Sequence, residues 1–206
     1  MTNKPFSESC EQNKEPILSV IKQWFNQPDA TLLEIGSGTG QHASYFPQFL
    51  DKLFWQPSDI AENQHSIKAW CSHAQLSNVH PPLILNVSQN EWPIESYDYV
   101  FSANTVHIMA WNEVKAMFAG IRKVLKLKGI FCLYGPFNYN SQCTSLSNAQ
   151  FDQWLKSRNP NSGIRDFEAL CELGESGSQH RPLKLLMDHE MPANNRILVF
   201  QSIAPK

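Results

Sequence analysis

Apolar positions along this chain fall into two rhythms, and their alternation predicts the elements before any motif is considered. Ile17, Leu18, Ile21, Trp24 and Phe25 recur at helical spacing, with Pro16 suited to the first turn of that helix. Residues 31–35 read as a short buried strand ended by glycines, and 41–50 as a helix interrupted by Pro47. A second strand (53–60) precedes a second helix (62–74), and strands at 81–87 and 97–104 lead into an amphipathic helix at 111–126. A fifth strand (129–137) is followed by helices at 147–158, where Ser147 is placed to cap, and 165–176. Two closing strands, 182–191 and 195–204, flank the short segment "PANN".

Strands alternating with helices from residue 31 to 135 predict right-handed βαβ units and a parallel sheet. "PANN" is too short for a crossover helix, so the last two strands pair antiparallel as a hairpin. The fold class expected is therefore α/β: a doubly wound, Rossmann-like, seven-stranded sheet, mostly parallel with a C-terminal antiparallel hairpin. Its ligand crevice belongs at the carboxyl ends of the strands, where strand order reverses. All 206 residues are expected to form one domain.

Composition narrows the partners. Apolar residues make up 42%, charged residues 17%, and the net charge is -2, so no overall field favours nucleic acid or an anionic membrane. Lys123, Lys126 and Lys128 read as one solvated helix end. Five cysteines with no C-x-x-C spacing point to reduced thiols in a cytoplasmic protein, not to disulfides or a zinc site. The polar N-terminus reads as neither signal peptide nor membrane anchor, and no apolar run is long enough to span a bilayer.

The chemistry centres on "LLEIGSGTGQHASYF", residues 32–46. A dinucleotide turn wants G-x-G-x-x-G, but after Gly36 and Gly38 the third glycine is Gly40, and position 41 holds Gln41. Glu34 stands immediately before the turn, where it would repel a pyrophosphate. S-adenosylmethionine carries a sulfonium and an amino group besides its carboxylate. An acid beside the turn suits those cations, while the turn amides, Ser37 among them, receive the carboxylate. Glu34-x-Gly36-x-Gly38-x-Gly40 is the E/D-x-G-x-G-x-G pattern of class I S-adenosylmethionine-dependent methyltransferases, which the chain resembles from this point on.

Further positions agree with that cofactor. Asp59 ends the second strand about 20 residues after the turn, where a carboxylate accepts from ribose hydroxyls; capping the next helix is its other reading. Ile60 follows, where adenine stacks. Asn86, with Val87 beside it, stands where the fold commonly offers a side chain to the adenine amino group; a turn role is equally open. Asn104 and Thr105 leave the fourth strand where they line the methionine end. His107 lies just beyond, as a catalytic base facing the methyl group or as a packed histidine. Tyr134 and Glu11 are the alternative bases.

The wider chain resembles the methyltransferase-like protein 26 family through "SCEQNKEPIL", "EIGSGTGQHASYF", "WQPSDI", "SANTVHI", "YGPF", "SNAQFDQWL", "GIRDFEAL" and "MPANNRILVF", over residues 6 to 202. The resemblance implies the class I fold, S-adenosylmethionine as cofactor with S-adenosylhomocysteine as product, and transferase activity, but no substrate. In this architecture an N-terminal helical segment, here residues 1–28, folds over the cofactor; Lys14 then contacts its carboxylate, and Glu11 and Asn13 a substrate. Otherwise this segment is a solvated helix start. Asn194 and Asn195 either reach into the site or only build the hairpin turn. The function expected is methyl transfer to a small molecule or a protein side chain, with no nucleic acid, membrane or metal involved. The alternatives are a silent cofactor-binding sensor module and, disfavoured by Glu34 and Gln41, an NAD-linked oxidoreductase.

Overall fold

A computed structural model describes residues 4–89, 91–176 and 181–205. Helix α1 (Glu8–Trp24) precedes β1 (Thr31–Ile35), α2 (Gln41–Tyr45), β2 (Phe54–Asp59), α3 (Gln64–Ala74), β3 (Leu83–Ile84), β4 (Tyr97–Ala103), α4 (Trp111–Val124) and β5 (Leu125–Gly135). Then come β6 (Phe137–Asn138), α5 (Leu146–Arg158), β7 (Arg165–Asp166), α6 (Phe167–Glu175), β8 (Leu183–Met191) and β9 (Asn195–Ser202). The main sheet has seven strands in the order β3-β2-β1-β4-β5-β9-β8. β1 to β5 pair in parallel, and β9 runs antiparallel to both β5 and β8. The expected doubly wound sheet with its closing hairpin is what forms.

Period-two alternation divides the core between the two faces. Leu33, Val100, Phe131, Leu133, Leu198 and Phe200 point to one side, where Val114, Met117, Phe118 and Ile121 of α4 and Leu170 of α6 cover them. Leu32, Tyr99, Phe101, Cys132, Ile197 and Val199 point to the other, against Ile17 and Ile21 of α1 and Ala43 of α2. Strands buried on both faces carry continuous apolar runs, as β9 does from Ile197 to Phe200. Strand order reverses between β1 and β4, which places the crevice of a doubly wound fold at their carboxyl ends.

Four local expectations are corrected. α1 begins at Glu8, not at Pro16: Ser7 Oγ accepts from the Cys10 N–H (3.4 Å), and Pro16 lies inside the helix. β5 follows α4 directly at Leu125, so Lys126 and Lys128 sit on a strand, where Lys126 Nζ pairs with Asp98 (2.9 Å). α5 is capped by Ser145, whose Oγ accepts from the Asn148 N–H, leaving Ser147 in the first turn. β3 shrinks to two residues, because the chain turns at Asn86, whose Oδ1 accepts from the Ser88 N–H (3.0 Å). β6 and β7 form a separate two-stranded parallel ribbon that the sequence did not signal.

Candidate active site

The turn after β1 is held from two sides. Gly36 and Ser37 N–H groups both donate to the Ser58 carbonyl (2.9 and 3.0 Å), and Ser37 Oγ accepts from the Ser58 N–H (3.1 Å). Gly36 has φ +74°, and a Cβ there would lie 2.4 Å from Thr105 Cγ2, so the turn and the segment after β4 touch through a missing side chain. Gly38 has φ +56°, but a Cβ built on it meets no atom within 4 Å. It faces open space.

That space is a cavity of about 1080 Å³ at the carboxyl edge of the sheet. On its β1–β3 side lie Gly36, Ser37, Gly38, Asp59, Ile60, Asn86 and Val87; Asn104, Thr105 and His107 follow from the end of β4, and Tyr134 from β5. Asp59 Oδ2 accepts from the Gly38 N–H (2.7 Å), and Oδ1 from the Ile60 N–H and Asn63 Nδ2 (2.7 and 2.9 Å). Three of the roughly four lone-pair positions of the carboxylate are thus engaged, tying the end of β2 to the glycine turn. Asn104 adopts φ +58°, an uncommon conformation that brings its N–H to the Tyr134 carbonyl (2.9 Å) at the cavity wall. Thr105 Oγ1 shares a hydrogen bond with Ser102 Oγ (2.7 Å), fixing the methyl against Gly36.

α1 supplies the wall above the turn. Gln41 Oε1 accepts from the Ser7 N–H (2.6 Å) and its Nε2 donates to the Ser7 carbonyl (3.2 Å). The residue that takes the place of a dinucleotide turn's third glycine is therefore buried and clasps the start of α1. Asn13 is buried beside Tyr134, and its Oδ1 lies 2.8 Å from His42 Nε2. Because Pro16 has no N–H, the Gln12 carbonyl lacks its intrahelical donor, and both residues line the cavity.

Burial sets the protonation states. His107 is 5% exposed, edge-on to Phe151 (5.2 Å), and its Nδ1 is buried without a partner. Desolvation, helped by the Arg165 charge, pushes its pKa down to about 4, so the ring is neutral at pH 7. His42 is likewise pushed by burial down to about 4. Burial raises the Tyr134 phenol to about 12, which keeps it protonated. The Cys10 thiol at the wall is also raised by burial, so it presents no thiolate.

Four expected site residues lie elsewhere. Glu34 does not line the cavity: its Oε2 accepts from Trp55 Nε1 (2.9 Å) behind the turn, where burial, set against hydrogen bonds from Trp55 and Ser37, raises its pKa to about 7. Glu11 and Lys14 pair with each other on the face of α1 towards α2 and α3, beside a separate small cavity and with the Lys14 ammonium over the Tyr45 ring (4.8 Å), because a helix started at Glu8 turns positions 9, 12, 13 and 16 to the main cavity instead. Gly40 caps α2 with φ +91° and packs on Ile67, whose Cα a Cβ would approach to 2.8 Å. Asn195 lines the cavity, whereas Asn194 offers only its carbonyl, to Asn148 Nδ2 (3.1 Å). The far wall comes from residues that sequence reasoning did not select: Ser147, Asn148 and Phe151 of α5, with Pro192 and Ala193 of the hairpin. Among the described residues there is no cluster of three metal-ligating side chains and no helix long and apolar enough to cross a membrane.

The family profile described as "Protein of unknown function (DUF938)" matches residues 4–202. The chain belongs to the DUF938 family. Among solved structures, this DUF938 chain is similar to an O-methyltransferase family protein from Burkholderia thailandensis, with TM-score 0.80 and 11% identity, covering 97% of this chain and 59% of that one. It is similar too to the mitomycin 7-O-methyltransferase MmcR (TM-score 0.79, 12% identity, 94% and 54% covered). An O-methyltransferase family 2 protein from Planctomyces limnophilus in complex with apigenin also matches (TM-score 0.78, 13% identity, 95% and 60% covered). At these identities the likeness establishes the fold, and the DUF938 chain spans less than two thirds of the length of each of these structures.

Proposed function

We propose that this DUF938 protein is an S-adenosylmethionine-dependent methyltransferase acting on a small molecule. The observation that carries the reading is Gly38: its backbone adopts a conformation that glycine favours, yet a Cβ would meet nothing, so the turn keeps a cradle for an approaching ligand. The side chains present fit the cofactor. Asp59 would accept from the ribose hydroxyls, Ile60, Asn86 and Val87 would hold the adenine, and Asn104 and Thr105 the methionine end; all six line the cavity. Support also comes from the O-methyltransferases that share the fold and from the resemblance to the methyltransferase-like protein 26 family.

A pocket for one drug-sized ligand takes about 300–1,000 Å³. At about 1080 Å³ this cavity leaves room for an acceptor beside the cofactor, towards β5, α5 and the hairpin. When bound, S-adenosylmethionine supplies a methyl carbon to which the acceptor's lone pair forms a bond while the carbon–sulfur pair stays on sulfur. The protein's own part is alignment and exclusion of water: α1 roofs the turn, and Phe151, Pro192 and Ala193 close the acceptor side. Of the three bases considered, Glu11 lies outside and Tyr134 holds its proton. That leaves neutral His107 to orient the acceptor through a hydrogen bond; with burial holding its pKa at about 4 it is a weak base, better suited to positioning a hydroxyl than to drawing off its proton. The five unpaired cysteines suit a reducing compartment, which supports a cytoplasmic location.

Titration calorimetry with S-adenosylmethionine, S-adenosylhomocysteine and NAD tests the reading. Micromolar binding of the two sulfur compounds alone, weakened at least tenfold by Asp59→Ala or Gly38→Ala, is the expected result. A folded protein that binds neither overturns it.

A further inference from the structure

Charge around the cavity is one-sided. Asp59 and Glu113 line it, and no lysine or arginine does among the described residues. The nearest cations are committed elsewhere: Lys14 to Glu11 and the Tyr45 ring, and Arg165 to the carbonyls of Val106, Met109 and Asn161. The two histidines on the wall supply no charge at neutral pH, since burial holds both at about 4. An anionic acceptor entering beside the cofactor loses its water and finds no side-chain countercharge, a cost of several kcal/mol in proteins generally.

Resting on the methyltransferase reading above, we infer that the acceptor is a small molecule without carboxylate or phosphate, an alcohol, phenol or amine on an apolar body. The apolar body matches Phe151, Ile108, Pro136 and Pro192, and the reacting group matches the neutral side chains of His107 and Asn148. The same lack of a side-chain cation disfavours nucleotides and phosphorylated sugars as acceptors. Selectivity thus comes from what the wall lacks, which is a legitimate way to discriminate between ligands.

The test uses full-length protein saturated with S-adenosylhomocysteine and three probes of one shape: 2-naphthol, 2-naphthoate and 2-naphthyl phosphate. Binding is followed by calorimetry, independent of turnover. The inference expects 2-naphthol to bind and both anions to bind at least tenfold more weakly. Ser147→Lys and Asn195→Lys, which place a cation on the wall, are each expected to raise 2-naphthoate affinity at least tenfold. Equal or tighter binding of either anion to the wild type overturns the inference, as does failure of all three probes while S-adenosylhomocysteine binds, or failure of both lysine variants to recruit 2-naphthoate. Failure of S-adenosylhomocysteine itself to bind strikes the methyltransferase reading instead, and the inference falls with it.

Discussion

Gly36 and Gly38 share a positive φ but differ in what a methyl group would meet, and that separates stability from binding. Gly36→Ala adds the left-handed penalty of about 1–2 kcal/mol to an overlap with Thr105 that typically costs ~1–3 kcal/mol. Urea denaturation is expected to show a loss of about 2–5 kcal/mol. Gly38→Ala carries only the first cost, of about 1–2 kcal/mol, but puts its methyl in the cavity, so calorimetry is expected to show the larger effect. Glu34 gives a residue-level prediction with a sign. Its folded pKa, about 7, exceeds the ordinary carboxylate value, so its stabilising contribution is complete below about pH 4.3 and is lost as pH rises through 7. Glu34→Gln keeps an oxygen for Trp55 Nε1 and removes the charge. The variant is expected to melt above the wild type at pH 8, by on the order of 3 kcal/mol, and to match it below pH 4.5. A melting difference that does not change with pH would refute this.

Elements explain what the sequence showed and what it hid. β4, β5 and β9 were legible because each carries a run of three or more apolar residues, and β1 because Leu32, Leu33 and Ile35 lead into the glycines; the crevice followed from the order of βαβ units. The glycine turn and Asp59 were legible because backbone conformation and strand-end position leave fixed marks. α5 left none: the residues it buries include polar Asn148 and Asp152, bonded to the Asn194 carbonyl and the Ile164 N–H, so no apolar stripe announced that this helix walls a cavity. α1 was misjudged for a related reason. Its first turns are polar, and only tertiary contacts, Gln41 with Ser7 and His42 and Tyr134 with Asn13, fix the start of the helix and bury Asn13. Gln41→Ala removes both clasping bonds to Ser7, each worth about 0.5–1.5 kcal/mol. Hydrogen exchange of residues 8–13 is expected to quicken at least tenfold, with 17–24 little changed because Ile17 and Ile21 stay packed. Unchanged protection at 8–13 would show that the clasp does not hold the helix.

For the whole molecule, acid sensitivity follows from two buried imidazoles. The folded pKa values of His42 and His107, about 4, lie below the ordinary value of about 6.5. Their full contribution is therefore present above pH 6.5 and declines as pH falls towards 4, on the order of 3 kcal/mol each. Glu34 works in the opposite direction over much of the same window, so the wild-type decline is shallow and that of Glu34→Gln is steep. Urea midpoints at pH 7, 5.5 and 4.5 for the two proteins check this, and parallel curves would contradict it.

The position of β9 reaches beyond equilibrium. Its alternate residues complete both cores, and it alone joins β5 to β8. At about 5–20 residues per second, the ribosome makes β9 roughly 60 residues, or ~3–12 s, after β5. Through that interval β5 waits with an unpaired edge and half-covered faces, the condition in which nascent chains stick to one another. Yield of folded protein in cells is therefore expected to depend less on the glycine turn, which is made early, than on how well β5 is sheltered until the closing hairpin arrives.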